Sequence, residues 1–205
     1  MFEYNHRMMN RIFVLALIML SIAGPAAAQQ AAPQAPPTVS GFVRNSYNGN
    51  KNNMVRTAEK VPEEFYGLRP GPQMEVRTLG QHLLHSAVFN YLWCSQAKGE
   101  KNPNAGGLAI EKTVTGKAEI AKTLAASFAY CDSAYETLTD ASGAQVIDIT
   151  QENGREVKQA RAALLILNIV HNNEIYGQLV ALMRMKSIVP PNSEPRPAAP
   201  AAPAR

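Results

Sequence analysis

Long apolar runs, charge of one sign, histidine and cysteine are all scarce in this 205-residue chain. The longest apolar run, IFVLALIMLSIAG at 12–24, has 13 residues, well short of the roughly 20 that a helix needs to cross a bilayer. That length disfavours a permanent membrane span. Lys and Arg number 20 against 16 Asp and Glu, with no basic run of five residues. So weak and dispersed an excess, with no recognisable DNA- or RNA-binding motif, argues against a nucleic-acid partner. Ser86, Ser95 and Ser127 lack a His and Asp at a recognisable spacing, which leaves no case for a serine nucleophile. NPNAGG at 102–107 lacks the preceding strand and following Lys of a phosphate loop.

What is present begins with an N-terminal leader. His6, Arg7 and Arg11 precede the apolar run, and AAA at 26–28 supplies the small residues of a cleavage site. Residues 1–28 therefore read as a secretory signal peptide, cleaved after Ala28, which places the mature protein in a periplasm or outside the cell. Residue 29 is Gln and not Cys, which argues against lipid attachment there. Residues 29–41 read as a Pro/Ala/Gln-rich linker, and 190–205 as a disordered Pro/Ala-rich tail, because neither has the bulky apolar residues that a core requires.

Between them, 46% overall hydrophobic content is ample for one globular domain, spanning 42–189. Apolar residues recur at helical spacing in four segments, about 42–60, 79–97, 117–139 and 154–187, and no convincing strand is found. The second segment opens on a Thr78/Gln81 capping box, and the fourth on an Asn153 cap with Glu156 three residues on. The third has the clearest stripe, through Ile120, Leu124, Phe128, Cys131, Tyr135 and Leu138. The fourth is apolar nearly all round from Ala162 to Val170, which predicts that it is the most buried. Four such segments bury their stripes most simply as an all-α four-helix bundle. Gly177 reads as a point of close helix approach, and Met183 and Met185 as packing residues.

Of the four histidines, His6 lies in the leader, His82 and His85 on the second segment and His171 on the fourth. Histidines on different helices of a bundle can converge on an ion, although a single buried His is more often a hydrogen-bonded core residue.

Three stretches, AEKVPEEFYGLRPGPQMEVRTLGQHLLHSAVFNYLWCSQAKGEKNP (58–103), SFAYCDSAYETLTD (127–140) and HNNEIYGQLVALMRMKSIVPP (171–191), resemble the DinB-like superfamily of helical-bundle proteins. That family is named after a damage-inducible protein and not after the DNA polymerase that shares the name. The resemblance covers about 42–191. It implies a four-helix bundle of up-down-down-up topology and a divalent metal, often zinc or nickel, held by three histidines. One ligand matches His85, and the first His of an H-x-x-x-H matches His171, but the second falls on Ile175. Glu174 and His82 are left as substitutes, although neighbouring positions on a helix point about 100° apart. The resemblance also implies thiol-dependent transferase or isomerase chemistry on a small-molecule substrate, and a homodimer. A hydrolase- or transferase-like enzyme with weakened metal binding, and a non-catalytic binding or structural module of the cell envelope, are the two functional readings.

The even cysteine count and the oxidising compartment predict a Cys94–Cys131 disulfide, with two buried free thiols as the alternative. Each cysteine lies about 14 to 15 residues into its helix, so the two reach the same height only if those helices run parallel, as the family topology requires.

Overall fold

The computed structural model describes residues 36–151 and 154–195. The expected signal peptide, most of the linker, Asn153 and the last ten residues lie outside them.

The architecture is mostly helical. Four long helices, α1 (Val39–Lys60), α2 (Leu79–Lys98), α4 (Lys117–Glu136) and α6 (Arg161–Met185), carry the core, and two single-turn helices, α3 (Ile110–Thr113) and α5 (Asp140–Gly143), sit in the connections. Helix α1 starts where Thr38 accepts a hydrogen bond from the Gly41 amide, and ends before Pro62, which cannot continue it. The Thr78/Gln81 capping box is formed at α2, and Gly99 ends that helix in the left-handed conformation with φ 70°.

Contacts along α2 and α4 climb together. Gly80 lies against Ile120, Asn90 donates to Ser127, and Cys94 is bonded to Cys131 with the Cα atoms 5.3 Å apart. These two helices therefore run side by side in the same direction. A disulfide closing a loop of this length stabilises by roughly 4 kcal/mol on the chain-entropy account. Around it the core is polar as well as apolar. Asn168 Nδ2 donates to the Tyr135 hydroxyl and lies 3.7 Å from Cys94 Sγ, while Asn172 donates to Asn90 and Asn168. Tyr47 stacks on Tyr135 at 3.7 Å between ring centres and donates to the Phe128 carbonyl.

The structure departs from the sequence reading in four places. Residues 156–160, expected to lie within the last helix, instead form the second strand of an antiparallel pair, β1 (Val146–Thr150) and β2 (Glu156–Ala160), with Ile149 opposite Val157. Its strands alternate exposed and half-buried residues, the period of a sheet with one covered face. Helix α6 consequently starts at Arg161, whose amide bonds the Gln145 carbonyl. Nor is α6 buried all round, since Ile166, Leu167 and Val170 are 41%, 43% and 56% exposed. A Cβ added at Gly177 would meet no atom within 4 Å, so this glycine marks no close approach; Gly80 does, with Ile120 and Tyr66 at 3.0 to 3.3 Å. Finally, residues 190–195 are held on the bundle. Pro191 is buried, Asn192 bonds Tyr176, and Glu194 pairs with Arg56 and Lys60.

Candidate functional site

The site forms where α2 faces α6. Phe89 and Trp93 stand one and two turns along α2 from His85, and all three side chains lean toward His171 of α6. Ring centres are 5.0 Å apart for His85 and His171, 4.7 Å for Phe89 and His171, and 5.2 Å for Trp93 and His171. The sequence-predicted pair is thus brought together. Ile175, one turn below His171, is only 4% exposed and fills the matching position with hydrocarbon.

A residue that sequence reasoning missed completes the arrangement. Glu111, on the short helix α3, places Oε1 2.6 Å from His85 Nδ1, while Arg77 Nε donates to its Oε2 at 2.7 Å. Glu111 is nearly covered, with a side chain 9% exposed. A carboxylate held by a guanidinium can only accept, so His85 Nδ1 carries the proton and its Nε2 presents a lone pair. No motif spacing could point to Glu111, because it lies 26 residues from His85 inside a connection. Its one signal was an acidic residue within the mixed apolar and polar stretch LAIEKTV at 108–114.

Burial, helped by the charge of Arg77, pushes the His85 pKa down, opposed by the hydrogen bond that His85 donates to Glu111 and by the charges of Glu111 and Glu174. His171 is pushed down to about 4 by burial and then by the neighbouring His85 and Arg77. Both rings are therefore neutral at pH 7, the state in which imidazole binds metal or accepts a proton. His171 Nε2 is buried with no hydrogen-bond partner. Glu174 is exposed, although its charge reaches His85. His82 is buried on the same helix, with both ring nitrogens unpartnered.

Two imidazoles bound through nitrogen to one tetrahedral zinc hold their ring centres roughly 5 Å apart, which the His85–His171 pair matches. The third ligand is missing. Among the described residues no group of three His, Cys, Asp or Glu side chains is arranged to hold an ion. The donor set therefore fits a two-imidazole site and does not fit a three-histidine centre.

Comparison with known proteins agrees with this architecture. The chain matches the DinB superfamily over residues 47–179. A DinB-like protein from Bacillus cereus superposes with a TM-score of 0.58 at 19% identity, covering 75% of this chain and 96% of that one. A conserved protein from Enterococcus faecalis gives 0.53 at 16%, covering 73% and 98%. A variant of a mycothiol-dependent maleylpyruvate isomerase gives 0.51 at 15%, covering 71% of this chain and 61% of that one. No curated protein matches the chain. At such identities the solved structures speak for the fold alone, while the family match spans more than half of the sequence: the chain belongs to the DinB superfamily.

Proposed function

We propose that this chain is an exported DinB-type bundle, its long helices running up-down-down-up, that holds a divalent ion such as zinc or nickel weakly between His85 and His171. The ion would serve a hydrolase- or thiol-transferase-like reaction on a small molecule. One observation carries the reading: Glu111 orients His85 as a ligating histidine is ordinarily oriented, 5.0 Å from a second neutral imidazole. The similarity in fold to a mycothiol-dependent isomerase supports thiol chemistry. A bound ion would supply a Lewis-acidic centre able to stabilise a thiolate or activate water. What this chain's own residues do is fix the His85 tautomer through Glu111, keep His171 neutral by burial, and shelter the pair behind Phe89 and Trp93.

Calorimetric titration with zinc and with nickel tests this reading. Weak one-to-one binding that His85→Ala abolishes is expected. The buried Ile175 favours a second reading, a non-catalytic envelope module that has lost the ion. No detectable binding of either metal would select it.

Export rests on the leader reading of residues 1–28, and the Cys94–Cys131 bridge supports an oxidising compartment. Intact mass of the protein recovered from its source cell should correspond to a chain beginning at Gln29. A mass that retains residues 12–24 would overturn export in favour of a membrane anchor.

A further inference from the structure

Beside the histidine pair lies a second feature that the bundle alone would not make. The hairpin leans over the α2–α6 groove and turns it into a cleft of about 500 Å³, a size typical of small-molecule sites. Its walls are Leu92 and Trp93 of α2, Leu164 and Leu167 of α6, and Ile149 and Val157 of the hairpin. Ile149 and Val157 are cross-strand partners, and each is among the half-buried residues of its strand, so the alternation of the hairpin is what builds this wall. Three side-chain amides, Gln96, Gln151 and Gln159, complete the lining. None of these nine described lining residues carries a charge.

Trp93 belongs to both places. It lines the cleft and its ring stands 5.2 Å from that of His171. A molecule lying in the cleft would therefore reach the edge of the histidine site across a single aromatic ring.

We propose that this cleft is a binding site for an uncharged small molecule with an apolar, ring-sized body and a hydrogen-bonding group. Such a molecule would lie beside the histidine site with Trp93 between them, and its link to that site rests on the function proposed above. The chemistry of the lining selects the class. Six apolar side chains reward burial of hydrocarbon, and carboxamides both donate and accept without demanding a charge. Within this lining a charged ligand would surrender hydration with no counter-ion to meet it, since the adjacent Arg155 is held on the Gln151 amide oxygen.

The chain has one tryptophan, and it is Trp93, so its emission reports on the cleft. The probes are N-phenyl-1-naphthylamine, which is uncharged, and 1-anilinonaphthalene-8-sulfonate, which has the same rings and a negative charge. The uncharged dye should quench Trp93 by energy transfer with a stoichiometry of one per chain, and the sulfonate should bind at least about tenfold more weakly. Leu167→Arg, at a side chain 43% exposed, should weaken the uncharged dye by about tenfold or more with unchanged helical circular dichroism. Ile149→Arg, on the opposite wall, is the second variant, with the same expected result should Leu167→Arg fail to fold. Phe42→Arg, at a residue 72% exposed and outside the cleft lining, should change nothing.

Equal affinity for the two dyes, or binding indifferent to both cleft variants, would overturn the proposal. So would a dimer in sedimentation velocity that Leu167→Arg dissociates and that binds no dye, because the face would then belong to a second copy. The dye measurements contain no metal, so failure of ion binding and failure of the cleft are read separately.

Discussion

His82 is 4% exposed, and both its ring nitrogens are buried without a partner. Burial is the main reason that its pKa falls to about 4, with Arg77 and His85 adding to the effect and Glu111 opposing it. In the unfolded chain the ring titrates near 6.5, so below that pH the unfolded state binds a proton that the folded state refuses. Stability contributed by the neutral ring is therefore whole above about pH 6.5 and is lost as pH falls toward 4, by about 3 kcal/mol at the limit. His171, also lowered to about 4, adds a similar loss. His82→Leu should remove part of this acid sensitivity, since His85 and His171 keep their own lowered pKa, and cost less than about 1 kcal/mol at pH 7, since replacing unpartnered buried nitrogens by hydrocarbon is nearly neutral. Urea denaturation of both forms at several values between pH 4 and 7.5 measures it. An unchanged pH dependence in the variant would show that His82 is not the buried neutral group described.

At the scale of elements, two glycines on long helices behave oppositely. A Cβ on Gly80 would stand 3.0 Å from Ile120 Cδ1 and 3.3 Å from the Tyr66 carbonyl, where α2 meets α4 and the loop after α1. A Cβ on Gly177 of α6 would meet nothing. Gly80→Val should therefore destabilise by about 2 kcal/mol through overpacking, whereas Gly177→Ala should stabilise by up to about 1 kcal/mol through helix propensity. Thermal unfolding of the two variants decides between them, and a Gly177→Ala variant less stable than the natural protein would contradict the open surroundings of that residue. The first three long helices were legible to within about three residues because their apolar stripes hold in the fold and the Thr78/Gln81 capping box forms as read. The hairpin was not. Its strands are five residues each, and the arginine-, glutamate- and lysine-containing stretch at 155–158 carries enough helix formers to read as an extension of α6. The Gly154 turn, with φ 78°, was the available strand signal, and it was outweighed by the long apolar run that follows.

The molecule as a whole was legible at the level of family and helical class, because the motifs at 58–103 and 171–191 are long and specific, and the family match confirms them. His85 and His171, the residues proposed to hold the ion, were legible for the same reason, and their meeting is a property of the bundle. Glu111 was not, since only the folded connection between α2 and α4 brings it to His85. The polar core around the disulfide was also hidden, because Asn90, Asn168 and Asn172 break no helical pattern and declare themselves only by bonding one another.

In the function proposed for this chain, two oriented imidazoles remain where Ile175 stands in place of a third ligand. Zinc titration of the natural protein beside Ile175→His decides whether that is so. The substitution restores a donor one turn from His171 on the same face, and loss even of a supporting group around a metal typically costs about 10- to 100-fold in affinity. Ile175→His should therefore bind zinc at least about 100-fold more tightly than the natural protein, with circular dichroism unchanged. Tight binding by the natural protein that Ile175→His does not improve would contradict the proposed site.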